Sequence, residues 1–209
     1  MLTTVSRESR KPDVEAVEDR SLELRVAAVQ LGRLAGSCLF FTALGADEHG
    51  RRSRAELTRL GVDVHAIPET NTTRRAFTYV DDTGERTITV LNEKLRPRGG
   101  DSRLPWRELA EMDGVFFVSG DAEALHHCRT ARVLVATSRE LPTIQEAGVE
   151  LDALVGSGED EAELYHPGDL VPPPRVAVTT AGGLGGWLQP GGPFRPAPLP
   201  GQVVDTYGA

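Results

Sequence analysis

Val203-Val204-Asp205-Thr206-Tyr207-Gly208-Ala209 is the stretch on which the reading of this chain turns. Two β-branched residues read as the end of a strand. Asp-Thr leaves that strand, and Gly-Ala can open a helix whose first amides face outward. Unpaired amides at a helix N-terminus, backed by the positive end of the dipole, form an anion site. About twenty residues upstream stands a second loop of the same kind, Thr180-Ala181-Gly182-Gly183-Leu184-Gly185. It follows the apolar run Arg175 to Thr180 directly, and its glycines let backbone come close to a ligand. Tight turns use the same residues, so each loop also has a purely structural reading.

Working outward, the chain alternates. Val26, Val29, Leu31 and Leu34 fall on one side of a helix that ends at Gly36. A weak helical pattern from Val14 to Leu24 precedes it. Ser37 to Leu44 is an apolar run between two glycines and reads as a buried parallel strand. Asp47 caps a helix carrying Ala55, Leu57 and Leu60, which stops at Gly61. Val62 to Ile67 alternates as a half-exposed strand does. Arg75 to Val80 and Glu85 to Leu91 are strands joined by Asp81-Asp82-Thr83-Gly84, a hairpin signal. Strands are then expected at Val115 to Val118, Val133 to Ala136, Asp152 to Val155 and Arg175 to Thr180. Between them lie helices at Ala122 to Cys128 and Leu141 to Ala147, and a proline-rich loop at Pro167 to Pro174. Trp187-Leu188 begins a further strand whose partner is Phe194 to Ala197. This rhythm predicts an α/β fold: a mostly parallel sheet with helices on both faces, plus a small antiparallel lid. Ligands in such folds sit at the carboxyl ends of the strands.

The 209 residues suffice for one domain with a proper core, and a hydrophobic content of 39% is ordinary for a globular chain. No apolar run reaches membrane-spanning length, so no membrane partner is expected, and the polar residues 1–25 are not a secretory signal. The formal net charge of −8 argues against nucleic acid. A cytoplasmic location is the expectation, with Cys38 and Cys128 as buried thiols rather than a disulfide. His126, His127 and Cys128 are adjacent on a helix and point different ways, so no metal held by direct ligation is expected. The organisation predicted is a loose segment at 1–25 and one α/β domain at 26–209, with a hairpin inserted at about 72–92.

Several segments together resemble the ribokinase-like (PfkB) carbohydrate kinases over roughly Val26 to Ala209. The terminal Asp-Thr-Tyr-Gly-Ala is similar to the signature Asp-Thr-x-Gly-Ala-Gly-Asp. Gly45-Ala46-Asp47-Glu48-His49-Gly50 is similar to a Gly-x-Asp-x-x-Gly segment near the sugar site, and Gly61-Val62-Asp63-Val64 completes the cadence that follows it. Asp82-Thr83-Gly84-Glu85-Arg86-Thr87 resembles the turn of the lid strands. Thr180 to Gly185 resembles a Thr-x-Gly-x-x-Gly nucleotide loop.

The resemblance implies ATP-dependent phosphorylation of a sugar or sugar-like hydroxyl. It places the nucleotide at Thr180, Gly182 and Gly185, the anion hole at Gly208 and Ala209, and the substrate side at Gly45 and Asp47. It puts a monovalent cation, K⁺, at Asp205, although Asp205-Thr206 reads equally as an N-cap pair. Ser157 to Asp160 falls where many members carry Asn-x-x-Glu for positioning Mg²⁺. The Asn is absent here, which leaves Glu159 or Asp160 for that role. The partners implied are ATP and a small sugar, with a homodimer paired through the lid. The signature's final Gly-Asp, whose carboxylate takes the hydroxyl proton, would lie beyond Ala209. A first strand with its Gly-Gly pair is likewise missing where Ser21 to Arg25 stands. The expectation is therefore a fragment lacking the catalytic base and inactive as given. The competing reading is a non-catalytic nucleotide- or sugar-binding module. A Rossmann dehydrogenase ranks last, because no early Gly-x-Gly-x-x-Gly follows a first strand.

Overall fold

Apolar runs bounded by glycine, and helices opened by aspartate, set the pattern of the structure. The computed structural model of the chain describes residues 17–18, 21–80 and 86–198. They fall into two units that divide between Leu95 and Arg96.

The first unit begins with strand β1 (Val17–Glu18) and helix α1 (Ser21–Ala35). Strand β2 (Leu39–Gly45), helix α2 (Glu48–Arg59) and strand β3 (Asp63–Glu69) follow. β2 and β3 run parallel, in register from Leu39 opposite Asp63 to Gly45 opposite Glu69. Their inner side chains join Ala28 of α1 and Leu57 of α2 in one core, with Val62 and Val64 buried and Val29, Cys38, Phe40 and Ala66 packed against it. Burial of such side chains is the main stabilising term here, about 1.5–3 kcal/mol for each large one. β4 (Arg75–Val80) and β5 (Arg86–Leu91) are antiparallel, from Arg75 opposite Leu91 to Val80 opposite Arg86. The expected strands of the hairpin are therefore present, and its turn lies outside the described residues.

Three details differ from the sequence reading. The partner of the strand at Trp187-Leu188 is Gly192–Phe194 and not Phe194 to Ala197, because the chain already turns back at Pro190-Gly191. The helical pattern from Val14 to Leu24 does not extend through Val17 and Glu18, which pair with Phe77 and Ala76 of β4. Cross-strand pairing by a β-branched residue overrides a weak helical period there. On α1, the buried side is Ala28 and Val29, whereas Leu34 is 86% exposed. A Cβ on Gly32 would lie 3.4 Å from the Cys38 Cβ, just ahead of β2, so the packed face of the helix runs through Ala28 and Gly32, one turn apart, and does not include Leu34.

The second unit is built on β6 (Val115–Phe117), β7 (Leu134–Thr137), β8 (Ala153–Ser157), β9 (Val176–Thr180), β10 (Gly186–Gln189) and β11 (Gly192–Phe194). The order across the sheet is β11-β10-β9-β8-β7-β6. β6 to β9 are parallel, and β10 and β11 are antiparallel additions at one edge. Helices α3 (Ala122–Cys128) and α4 (Leu141–Ala147) connect the parallel strands. Leu125, Leu134, Ile144, Leu151 and Leu154 are almost wholly buried. At the N-terminal ends of the strands, Asp152 accepts from the Leu134 amide at 2.7 Å and from Arg129 at 2.8 Å, with Arg175 at 3.1 Å. The opposite, C-terminal ends carry the loops at residues 138–140, 157–163 and 180–185.

Among the described residues no helix is long and apolar enough to cross a membrane. Cys38 and Cys128 are both free, the first half-buried and the second buried. Burial pushes the Cys128 thiol up to about 12.

Candidate functional site

The residues singled out by sequence lie in both units, and each group has its own geometry. In the first unit, Asp47 follows β2 and caps α2. Its Oδ1 accepts from the Gly50 amide at 2.8 Å and from the Thr73 hydroxyl at 2.7 Å, and its Oδ2 accepts from the Thr73 amide at 2.8 Å. Burial alone would raise the carboxyl pKa. The Thr73 hydroxyl and the two amides outweigh it and bring the group from 3.8 down to about 2. Asp47 is thus held ionised, with both oxygens engaged.

The glycines of the same segment have a steric reason. A Cβ on Gly45 would stand 2.3 Å from the Thr73 nitrogen, and one on Gly50 would stand 2.1 Å from the Gly45 carbonyl oxygen. Gly-x-Asp-x-x-Gly is therefore the pattern by which the strand-to-helix turn wraps the segment at Thr73. Thr73 is buried, and sequence reasoning missed it. It lies 26 residues from Asp47, and nothing local marks it.

In the second unit, Thr180, Gly182 and Gly185 come together at the end of β9. The Thr180 hydroxyl donates to the Gly156 carbonyl at 3.3 Å. The loop closes on itself, with the Ala181 amide donating to Gly185 O at 2.8 Å and Leu184 N to Ala181 O at 2.9 Å. Gly185 has φ +95° and packs against β11, where a Cβ would lie 2.1 Å from the Phe194 carbonyl oxygen. Gly183 faces the other way: a Cβ there would meet no atom within 4 Å. The turn is braced on one side and open on the other, which leaves its backbone approachable.

Glu159 joins this loop. It follows β8, and its two carboxylate oxygens lie 3.8 Å from the position a Gly182 Cβ would take. Gly158 N donates to Thr180 O at 2.8 Å, which ties the two loops together. Its neighbour Asp160 is committed elsewhere, to Arg139 at 2.6 Å and to the Ala162 amide at 2.9 Å. Of the two acidic candidates, the structure brings Glu159 to the glycine turn. Arg139 and Glu163, which organise this corner, were not foreseen.

Asp205, Gly208 and Ala209 lie outside the described residues, as does the hairpin turn at 81–85. His127 stacks on Trp106 with ring centroids 5.0 Å apart and planes 15° apart, so it is a packing group. Among the described residues no group of three metal-ligating side chains occurs.

Comparison with known proteins follows the same lines. A family model described as pfkB family carbohydrate kinase matches residues 26–132, just over half of the chain. A ribokinase from Thermotoga maritima is 18% identical, with 81% of this chain and 61% of that chain covered and a TM-score of 0.58. An adenosine kinase from Sinorhizobium meliloti is 16% identical, with 88% and 65% covered and a TM-score of 0.64. An uncharacterized sugar kinase from Pyrococcus horikoshii is 15% identical, with 79% and 62% covered and a TM-score of 0.64. At such identities the likeness shows the fold, which is ribokinase-like α/β. The chain spans 61–65% of the length of these three solved chains. No curated protein matches it.

Proposed function

The chain belongs to the pfkB family of carbohydrate kinases, and from that premise we propose that the protein transfers the γ-phosphoryl group of ATP to a hydroxyl of a sugar or sugar-like molecule. The activity proposed is the whole protein's. The observation that carries it is the corner at the ends of β8 and β9, where a carboxylate, Glu159, stands beside a glycine turn that is open at Gly183. An open backbone turn suits close approach by a nucleotide. A lone hard-oxygen donor suits Mg²⁺, which keeps several waters and takes most of its remaining ligands from phosphate. When bound, Mg²⁺ neutralises charge that builds on the phosphates during transfer.

The chain's own residues then divide the work. Thr180, Gly182 and Gly185 shape the nucleotide side, and Glu159 would help hold the Mg²⁺ of the nucleotide complex. Asp47 and its glycines fix the turn on the substrate side. The hairpin of β4 and β5 serves as a lid that keeps water from the γ-phosphate. The signature assigns the anion hole to Gly208 and Ala209, K⁺ to Asp205, and the proton-accepting carboxylate to the second residue after Ala209. Pairing of lids gives a homodimer, and the protein works in the cytoplasm.

Calorimetric titration with AMP-PNP, with and without Mg²⁺, tests the nucleotide side. Phosphoryl transfer from ATP to a panel of pentoses, hexoses and nucleosides tests the substrate. Mg²⁺-dependent AMP-PNP binding that Gly183→Val abolishes is the expected result. Absence of nucleotide binding under both conditions would falsify the reading.

A further inference from the structure

The loop that carries Glu159 is held from outside by one arginine. Arg139 lies just after β7, in the short turn Ser138–Glu140. Its Nη2 donates to Asp160 Oδ2 at 2.6 Å and also to Glu163 Oε1. The other Glu163 oxygen accepts from the Ser157 amide at 2.9 Å, and its carbonyl accepts from the Ser138 hydroxyl at 2.6 Å. Residues 157–163 are thereby closed into a loop, its ends joined through Ser157 and Glu163, and fixed at Asp160 and Glu163 to the turn that follows β7. Within it, the Glu159 amide donates to the Ser157 hydroxyl at 3.1 Å. The Glu159 carboxylate is directed at the Gly182 turn.

We propose that Arg139 is a positioning residue for the divalent cation of the nucleotide complex, acting through the loop that presents Glu159. The inference rests on the reading of this corner as the nucleotide side. The physical reason is one of charge. Glu159, Asp160, Glu161 and Glu163 place four carboxylates within five residues. Asp160 and Glu163 both face Arg139, and without that counter-charge they repel each other and loosen the loop that presents Glu159. Arg139 engages Asp160 and Glu163 and leaves Glu159 to face the turn. An exposed pair of this kind adds little to stability. Its effect belongs to orientation, as with the outer partners of metal ligands.

The test is calorimetric binding of AMP-PNP to the full chain across a Mg²⁺ series, with Arg139→Ala, Arg139→Lys, Asp160→Asn, Glu159→Gln and the double variant Arg139→Ala/Glu159→Gln. Arg139→Ala is expected to raise the Mg²⁺ concentration for half-maximal binding about tenfold. Binding of AMP-PNP without Mg²⁺ stays within about twofold of the unchanged chain. Glu159→Gln gives the same shift, and the double variant is no worse than either single one, because both act at one point. Arg139→Lys recovers most of the loss. Asp160→Asn, which releases the loop from its own side, reproduces the Arg139→Ala shift and decides the matter if Arg139→Ala fails to fold. An unchanged Mg²⁺ midpoint in Arg139→Ala or Asp160→Asn overturns the proposal, and so do shifts that multiply in the double variant. If the unchanged chain shows no Mg²⁺-dependent binding, the functional reading falls and the role of Arg139 with it.

Discussion

Asp47 and Asp121 occupy matching places in the two units. Each follows a strand, caps the next helix, and reaches out to a backbone amide far along the chain. Asp47 takes the amides of Gly50 and Thr73. Asp121 takes those of Ala124 and Gly99, at 2.8 and 2.9 Å. Both corners are also too tight for a side chain on the glycine beside the tie. The difference lies in how the carboxylate is spent. Asp121 uses a single oxygen, Oδ1, for both amides. Asp47 uses both oxygens, and it holds Thr73 by hydroxyl as well as by amide. One corner therefore asks only for an acceptor, whereas the other asks for an ionised carboxylate and for threonine opposite it.

The largest effects should be steric and equal in the two corners. A Cβ at Gly50 would lie 2.1 Å from a backbone oxygen, and a Cβ at Gly99 would lie 2.4 Å from the Ala124 nitrogen. Backbone cannot swing aside as a flexible side chain can, so Gly50→Ala and Gly99→Ala should each cost about 3 kcal/mol or more. Urea unfolding of each variant checks this. A loss under about 1 kcal/mol at one corner and not the other would break the parallel at its steric root.

This pairing also marks how far the sequence could be read. α3 and α4 were expected at Ala122 to Cys128 and Leu141 to Ala147 and occupy those residues. Parallel strands announce themselves as apolar runs closed by glycine or proline, and a cap by an aspartate ahead of a periodic stretch. Those are local signals. Asp47 stood out because glycines flank it at a recognisable spacing. Asp121 performs the same task without that spacing, and the sequence reading did not single it out. Thr73, Gly99, Arg139 and Glu163 act on partners 21 to 26 residues away, and burial patterns carry no record of such pairings. The two-residue β1 was missed for the same reason, since its register is set by β4 and not by its own neighbours.

A medium effect should separate the corners where the steric one unites them. In Asp47→Asn, one side-chain position becomes an amide donor. Whichever way the group turns, that donor faces the amide of either Thr73 or Gly50. Leaving a buried donor unsatisfied costs about 1–3 kcal/mol, and the variant should lose that much. In Asp121→Asn, the side-chain oxygen can take both amides as before, so the change should stay within about 0.5 kcal/mol. Equal losses would mean that Asp121 also depends on its charge, and the distinction between the two corners would fail.

The smallest effect concerns pH, and its sign follows from the hydrogen bonds. The carboxyl of Asp47 is depressed from 3.8 to about 2 in the folded chain: burial works against the ion, while the Thr73 hydroxyl and the two amides more than offset it. A group with a depressed folded pKa contributes stability that is complete above its unfolded value and is lost as pH falls through the folded one. The window is therefore pH 4 down to pH 2. After allowance for solvent screening the loss attributable to this group is about 1 kcal/mol. Asp101 is likewise depressed, first by the side-chain hydrogen bond from Arg103 and then by the Arg103 amide, so the unchanged chain alone cannot isolate Asp47. The difference between the unchanged chain and Asp47→Asn can, because every other carboxylate is common to both. Chemical denaturation at pH 6, 4, 3 and 2 should show the gap between them narrowing by that amount on the acid side. A gap that stays constant over the series would mean that the Thr73 tie works as well on a neutral acid, and the charge would then have no part in holding that corner.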